Sequence, residues 1–205
     1  VNKNKIKLIY NLNSITNMKI KPSSESQKKE LKSKKNIKIL TVGRLDKSKD
    51  LKTLIKAFTL FRKDVISTLT IVGSGPQKNK IINLINKLDM QKHIKLIPFK
   101  RDIYSSYKES DIYISSSVHE SFGNTIVEAM SFGLHIIVTD CPYGPKEICE
   151  NGKYGFIAKA GSYYDLYEKL SKCYELDVLP NYKINLERFS EKIVLKEFLE
   201  LKCFQ

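Results

Sequence analysis

Segments that are almost free of charge alternate with amphipathic segments along most of this chain, and no other feature of the sequence restricts the fold as strongly. IKILTVG at 37–43 and LHIIVTD at 134–140 are examples of the first kind. LKTLIKAFTLFRK at 51–63 is an example of the second, with apolar side chains at helical spacing. Strands with so little charge are typical of parallel sheets that carry helices on both faces. The sequence therefore predicts an α/β protein with a doubly wound, Rossmann-like parallel sheet.

The alternation sets a definite order of elements. The predicted strands lie at 6–10, 37–43, 68–76 (ending in a glycine turn), 94–99, 111–117, 134–140 and 154–158. The predicted helices lie at 51–63, 78–90, 103–110, 124–133, 163–176 and 191–204, with a short helix starting at Lys146 and with Ser190 as the cap of the last one.

Residues 1–36 differ in character from the rest of the chain. They are polar and lack sustained periodicity after the short strand, which favours a hinge and linker, so we place a domain boundary between 36 and 37. Ten Lys and two Glu give this segment +8 of the total charge of +14. Such a block is typical of a solvated segment, and the functional alternatives are a patch for anionic lipid or a nucleic-acid arm. Nucleic acid is disfavoured because Lys outnumbers Arg 32 to 4.

Composition excludes several other classes of protein. With 41% apolar and 28% charged residues, the chain is not disordered as a whole. Its longest run without a charged residue, at 65–77, is too short and too polar to cross a bilayer, and the N-terminus shows no secretory signal. The four cysteines form no C-x-x-C pair, so we expect reduced thiols and no zinc site. We expect a cytoplasmic protein, and a chain that starts at Val1 suggests a piece of a longer one.

Ligands of such sheets bind beyond the carboxyl ends of the strands, which directs attention to the loops at 43–50, 73–77, 98–102, 117–124 and 140–146. The first loop, VGRLDKSKD, places Arg44 and Lys49 between a strand and the N-terminus of a helix. Two cations beside the N–H groups of a helix N-terminus indicate a phosphate or diphosphate site. Two exposed cations in a Lys-rich protein are an equally open alternative.

The second loop, GSGPQKN, is a weak dinucleotide signature. It carries Gly73 and Gly75 but lacks the third glycine of that fingerprint, and it also lacks the GK[ST] of a P-loop. A tight turn that opens a helix at Pro76 explains it equally well, and backbone approach of a ligand at Gly75 stays open.

The stretch at 115–133, SSSVHESFGNTIVEAMSFG, is the most informative. Glu120 lies in the predicted loop, and Glu128 lies in the first turns of the helix that follows Gly123. The N–H groups at 121–124 and the two flanking carboxylates suit a polyhydroxylated, anionic ligand such as a nucleotide sugar. The spacing of the two glutamates proves nothing alone, and Glu128 also fits an ordinary helix face. His119 fits a positioning role or a plain surface position.

Together, VGRLDKSKDLKTLIKAF, IVGSGP, SSSVHESFGNTIVEAMSFGLHIIVTD and GPKEICENGKYGFI resemble the C-terminal domain of retaining GT-B glycosyltransferases of family 4, the group 1 transferases. The resemblance runs from about residue 37 to 160, and residues 6–20 are similar to the family's hinge after its N-terminal domain. It implies that residues 37–205 form a Rossmann-like domain that binds a nucleotide-sugar donor.

The resemblance also implies roles for single residues. Arg44 and Lys49 would hold the donor diphosphate and neutralise its charge as the glycosidic bond breaks, and Glu120 would bind sugar hydroxyls beside them. Glu128 would accept hydrogen bonds from the ribose. Further donor contacts are implied for Gly43, Gly75, Pro98, Phe99, Phe122, Gly123, Asn124 and Thr125. Residues 98–100 would line the base pocket, where the family often has Gly at the position of Pro98.

The activity implied is that of a hexosyltransferase. It moves a hexose or N-acetylhexosamine, with retention, from a UDP-linked donor to a glycan or lipid-linked acceptor, and no cofactor or metal is expected. The N-terminal GT-B domain is missing as a partner, so we expect little or no transfer by this chain alone. An anionic membrane surface is a further expected partner, at the inner face of the membrane. The alternatives are a basic nucleotide- or membrane-binding Rossmann module without transferase activity and an NAD-type domain, and the incomplete glycine fingerprint disfavours the latter.

Overall fold

The computed structural model describes residues 9–10, 31–99, 103–176 and 178–200, and within them six parallel strands form one sheet. The strands are β1 (Ile37–Val42), β2 (Ser67–Val72), β3 (Ile94–Ile97), β4 (Ile112–Ser115), β5 (His135–Thr139) and β6 (Phe156–Ala158). Their order across the sheet is β3-β2-β1-β4-β5-β6, and every described pairing is parallel. This is the doubly wound arrangement that the sequence predicts.

Helices follow the strands in alternation. They are α1 (Leu51–Asp64), α2 (Lys78–Lys87), α3 (Tyr104–Lys108), α4 (Asn124–Ser131), α5 (Pro145–Ile148), α6 (Tyr163–Tyr174), α7 (Lys183–Glu187) and α8 (Glu191–Leu199). Short 3-10 turns at Leu31–Ser33, Lys47–Lys49 and Glu150–Gly152 complete the described elements. None of the helices in these described ranges is long and apolar enough to cross a bilayer.

The predicted elements between 37 and 200 are confirmed, with ends that differ by a few residues. The sequence did not predict α7. The predicted strand at 6–10 falls mostly outside the described residues, and Ile9 and Tyr10 form no regular element. Ser190 caps α8 as predicted, since its hydroxyl accepts from the N–H of Ile193 at 3.4 Å. The predicted end of that helix lies beyond the described part.

Two hydrophobic clusters cover the two faces of the sheet. One joins it to α1, α2 and α6, and the other joins it to α3, α4, α5 and α7. Neighbouring residues of one strand point to opposite clusters: Ile39 belongs to the first and Leu40 to the second, and both are fully buried. Burial on both sides explains why the strands are almost free of charge, since each fully buried Ile or Leu contributes about 1.5–3 kcal/mol.

The direction in which strands are added to the sheet reverses at its middle, and ligands of doubly wound sheets bind at such a switch point. The chain runs outward from β1 to β2 and β3, then returns to the other side of β1 to form β4. The loops that leave β1 and β4 therefore diverge in opposite directions and leave a crevice between them. We call these the β1–α1 loop (residues 43–50) and the β4–α4 loop (residues 116–123). The β5–α5 loop (residues 140–144) lies next to the second of them.

Candidate active site

Hydrogen bonds join the β1–α1 loop directly to the β4–α4 loop. The Ser48 carbonyl accepts from the N–H of Val118 at 2.7 Å and from that of His119 at 3.4 Å. The Ser116 hydroxyl donates to the Lys49 carbonyl at 2.7 Å. These bonds involve backbone groups of the 3-10 turn Lys47–Lys49, so they fix the loops against each other whatever side chains the turn carries.

Lys49 and Glu120 form an ion pair where the two loops meet. The Lys49 Nζ lies 2.5 Å from Glu120 Oε2, and the two side chains are 23% and 13% exposed. The Ser117 hydroxyl donates to the same carboxylate oxygen at 3.0 Å. The predicted phosphate-binding cation and the predicted sugar-binding acid are therefore direct neighbours, although 71 positions separate them in the chain.

Arg44 stands at the mouth of the same crevice. Its side chain is 77% exposed, and its Nε lies 3.4 Å from Asp46 Oδ2. The Ser48 hydroxyl and N–H both donate to Asp46 Oδ1, and the hydroxyl bond is the main reason why the pKa of Asp46 is lowered. An ionised Asp46 thus orients the guanidinium beside the crevice, and that guanidinium remains open to solvent.

The crevice has a polar floor and a cationic rim. The residues that line it come from β1, β2 and β4 and from the loops and helices that follow β1 and β4: Thr41, Val42, Gly43, Arg44, Lys49, Leu51, Ile71, Tyr113, Ser115, Ser116, Ser117 and Thr125. Hydroxyl groups of the floor are bonded among themselves, and the Tyr113 hydroxyl donates to Thr125 Oγ1 at 2.7 Å. The structure therefore brings four predicted site residues, Gly43, Arg44, Lys49 and Thr125, into one pocket.

Glu128 lies on α4 and is tied to a buried tyrosine. Its Oε2 accepts from the Tyr107 hydroxyl at 2.7 Å, and the Tyr107 ring is fully buried. Burial raises the pKa of Glu128, and the Tyr107 hydrogen bond opposes that rise. Glu128 and Glu120 both add to the raised pKa of Tyr113, whose main cause is burial.

The residues after Glu120 lead into α4 through a glycine. Gly123 occupies the N-cap position with φ of 111°, and the residue after it, Asn124, is exposed. Phe122 is buried against Phe189, with ring centroids 5.6 Å apart. A Cβ on Gly144 of the β5–α5 loop would lie 1.9 Å from the Phe122 carbonyl oxygen. The glycine therefore lets two loops touch through their backbones at this point.

The GSGP segment has a packing role in this structure. A Cβ on Gly73 would lie 1.9 Å from the Gly43 carbonyl oxygen, and one on Gly75 would lie 2.6 Å from that of Leu45. The Leu45 N–H donates to the Ser74 carbonyl at 3.0 Å. Both glycines are needed because the loops after β1 and β2 touch backbone to backbone. A donor contact at Gly75 remains a prediction.

The family is decided by a comparison with known sequence families. Residues 22–192 match the family described as Glycosyl transferases group 1. The chain belongs to this family. The match starts inside the segment that the sequence predicts as a linker, before the boundary expected between 36 and 37.

Curated relatives within this group are glycosyltransferases. The chain is 32% identical, over 83% of its length, to an uncharacterized glycosyltransferase of Methanocaldococcus jannaschii and covers 46% of that protein. It is 37% identical, over 65% of its length, to the GtfA subunit of the UDP-N-acetylglucosamine–peptide N-acetylglucosaminyltransferase of Streptococcus agalactiae and covers 26% of it. The chain thus spans less than half the length of these curated relatives.

Solved structures of glycosyltransferases share the fold. A glycosyltransferase from Rickettsia africae superposes with a TM-score of 0.79 at 24% identity, over 98% of this chain and 57% of the other. The pneumococcal O-GlcNAc transferase GtfA, solved with UDP and GlcNAc, superposes with a TM-score of 0.71 at 25% identity, over 87% of this chain and 36% of the other. The Rossmann-like α/β fold is therefore that of GT-B glycosyltransferases.

Other predicted residues lie at the edges of this group 1 site or outside it. Pro98 and Phe99 follow β3, at the edge of the sheet, and the Phe99 side chain is 60% exposed. Lys100, which completes the predicted base pocket, lies outside the described residues. The His119 side chain is exposed, as its surface alternative requires.

Sequence reasoning missed several residues of the site. Tyr107, Tyr113, Ser117 and Cys141 were not predicted to contact it. Tyr113 could have been found, because the alternation of β4 directs it to the face of the sheet that α4 covers. Burial is the main cause of the raised pKa of Cys141, and the Glu120 carboxylate adds to it. Cys141, Cys149 and Cys173 are free thiols, as predicted, and all three are buried, whereas Cys203 lies outside the described residues.

Proposed function

We propose that this chain is the donor-binding half of a retaining, family 4 glycosyltransferase that moves a hexose or N-acetylhexosamine from a UDP-sugar. The observation that carries the proposal is the contact of Lys49 with Glu120 at the switch point of the sheet. A cation suited to a diphosphate and an acid suited to hydroxyl groups adjoin there, as the diphosphate and the sugar adjoin in a nucleotide sugar. The UDP named for the GtfA relatives supports the choice of nucleotide.

The cations act on the leaving group in this proposal. When the bond between the sugar and the diphosphate breaks, negative charge grows on the phosphate oxygens. The Lys49 ammonium and the Arg44 guanidinium lie at one pocket and stabilise that charge with charge-assisted hydrogen bonds. We expect this pair of side chains to serve where other transferases use a metal ion.

The remaining donor contacts follow from the order of groups along the site. Glu120 binds sugar hydroxyls, and the backbone of residues 122–124 at the N-terminus of α4 contacts the sugar and the phosphates. Thr125 and the glycine at 43 line the same pocket. Glu128 accepts from the ribose, and Pro98 and Phe99 contact the base. Partial burial of Glu128 matters here, because a carboxylate that is less exposed to water forms stronger hydrogen bonds.

The acceptor is bound mainly by a partner domain in this proposal. We propose that the N-terminal GT-B domain supplies most acceptor contacts, and that the acceptor is a glycan or a lipid-linked glycan at the cytoplasmic face of a membrane. Sugar transfer by this chain alone should then be slight or absent. Measurable turnover by the purified chain of 205 residues would contradict this part of the proposal.

Calorimetric titration with UDP, UDP-GlcNAc, UDP-glucose, GDP and NAD tests donor binding. Arg44→Ala and Lys49→Ala should each weaken UDP binding by about 1–3 kcal/mol, because each removes a charge-assisted hydrogen bond. Lys63→Ala, which removes an exposed lysine from the last turn of α1, is the control of equal charge change and should leave UDP affinity unchanged.

The carboxylate is tested separately from the cations. Glu120→Gln should weaken UDP-sugar binding more than UDP binding, since Glu120 contacts the sugar in this proposal, and Glu187→Gln on α7 is its charge-matched control. A wild-type chain that binds NAD but not UDP refutes the proposal. Binding to anionic vesicles that falls steeply with salt and survives Glu120→Gln, without UDP binding, would favour the basic module instead.

A further inference from the structure

Tyr10 packs against the site from outside the sheet. Its ring lies 6.1 Å from the Phe122 ring at 39° and 5.3 Å from the Phe189 ring at 75°. The Phe122 and Phe189 rings are themselves 5.6 Å apart at 72°. Three aromatic rings therefore form a closed triangle, in which each pair of rings is stabilised beyond simple burial.

Polar contacts hold Tyr10 in that triangle. Its hydroxyl donates to Glu147 Oε1 at 2.8 Å, and the Arg188 guanidinium lies over its ring at 5.4 Å. The same guanidinium donates to the carbonyls of Glu147 and Ile148 at 3.4 Å, at the end of α5. Partial burial and the Glu147 hydrogen bond raise the pKa of Tyr10. The contact is therefore specific in both ring packing and hydrogen bonding.

Phe122 connects this cluster to the group that binds the donor sugar in the proposed function. It follows Glu120 by two positions and precedes Gly123, the N-cap of α4. A backbone shift at Phe122 therefore moves both the Glu120 carboxylate and the first N–H groups of α4. Tyr10 is the residue that reaches Phe122 from the far end of the sequence, within the segment that the sequence predicts as a hinge.

We propose that Tyr10 is a positioning residue, which holds the β4–α4 loop in the geometry that binds the sugar end of the donor by packing on Phe122. This inference rests on the proposed function. Tyr10 touches no donor group itself. A change in the chain around residue 10 is thereby transmitted to Glu120 through one pair of rings.

Two variants separate the ring from the hydroxyl. Tyr10→Ala removes the ring contacts, whereas Tyr10→Phe keeps them and loses only the hydrogen bond to Glu147. Tyr174→Ala is the control, because the Tyr174 ring makes a comparable edge contact with Phe61 at 5.9 Å in the cluster on the opposite face of the sheet. Each variant is studied in the whole chain by calorimetry with UDP and UDP-GlcNAc and by amide hydrogen exchange without ligand.

Tyr10→Ala should bind UDP-GlcNAc about fivefold more weakly, the effect of losing the ring contact with Phe122, and should bind UDP nearly as well as wild type. Amides at 119–124 should exchange faster in Tyr10→Ala without ligand, and Tyr10→Phe should restore both readouts. The inference is overturned if Tyr10→Ala changes neither readout, or if Tyr174→Ala changes both equally. Absence of UDP binding in the wild type would refute the proposed function instead, and the exchange measurement would still test the contact with Phe122.

Discussion

The backbone contact between the β5–α5 and β4–α4 loops gives the sharpest prediction of stability. Gly144 has φ of 80°, a region that side chains avoid, and a Cβ there would lie 1.9 Å from the Phe122 carbonyl oxygen. Ordinary contacts of this type begin at about 3.4 Å, so Gly144→Ala must push the loops apart by more than 1 Å. We expect this one clash both to destabilise the protein and to displace Phe122.

The magnitude follows from two separable costs. The backbone of Gly144, with φ of 80° and ψ of −75°, costs an alanine about 1–2 kcal/mol, and forced overpacking costs about 1–3 kcal/mol. Gly144→Ala should therefore lower the free energy of unfolding by about 2–5 kcal/mol, a large share of the 5–15 kcal/mol that is typical of a folded domain. Displacement of Phe122 should also weaken UDP-sugar binding.

Two matched variants isolate the two costs. Gly161 has φ of 75°, but a Cβ there meets nothing within 4 Å, so Gly161→Ala should be destabilised only by the backbone conformation. Gly73 is not among the glycines with positive φ, yet its Cβ would lie 1.9 Å from the Gly43 carbonyl oxygen. Gly73→Ala should therefore be destabilised only by the steric clash. Gly144→Ala should lower the free energy of unfolding by more than either of these two variants does.

Urea denaturation followed by far-UV circular dichroism measures all three, since the chain has no tryptophan to report by fluorescence. The reasoning fails if Gly144→Ala is no less stable than Gly161→Ala, because the clash with Phe122 would then cost nothing. It also fails if Gly144→Ala is destabilised as expected but binds UDP-sugars with unchanged affinity, because Phe122 would then not couple to the site.

Two further predictions concern single carboxylates. Burial raises the pKa of Glu128 above its ordinary 4.5, so the folded protein holds that proton more tightly than the unfolded chain does. The free energy of unfolding of wild type should therefore fall relative to Glu128→Gln as pH rises from 4.5 through the raised pKa, in urea titrations at each pH. Asp50 caps α1 with φ of 40°, accepting from the Thr53 N–H at 3.3 Å. Asp50→Ala should cost about 1–3 kcal/mol and Asp50→Gly a few tenths, because glycine relieves the backbone strain; equal losses would contradict this.

The sheet could be predicted from the sequence because its signal is repeated and local. Residues such as Ile39 and Leu40 point to different faces, yet both are fully buried. Burial on both faces therefore gives the strands sequences that are mostly apolar. Helix starts were found where a side chain marks them, as at Ser190. The short helix at Lys183–Glu187 was missed, because its place depends on contacts such as the Asn185 amide donating to the Ile148 carbonyl at 2.8 Å.

The site could be predicted only as a list of residues, not as an arrangement. Parallel sheets place strand ends together, so Lys49 and Glu120 were expected in one region. Nothing in the sequence indicated that they form an ion pair, or that the partner of Glu128 is Tyr107 on a helix between β3 and β4. The glycines at 73 and 75 left two explanations open in the sequence, and the structure shows that both are needed for contact between loops, whereas ligand approach at Gly75 stays a prediction.

The β1–α1 loop is fixed by its backbone carbonyls, and its Lys49 side chain makes a separate contact, which affects how a donor could enter the site. The loop is held by the Ser48 and Lys49 carbonyls, which accept from the β4–α4 loop, whereas the Lys49 ammonium pairs with Glu120. The side chain can therefore turn from the carboxylate toward a diphosphate without breaking the bonds that fix the loops. Lys49→Ala should then lose affinity for the donor and keep the loop geometry, since its backbone carbonyl still accepts from Ser116. In the proposed function, donor binding therefore has to open one ion pair whose side chains are largely buried, while the bonds between the two loops stay in place.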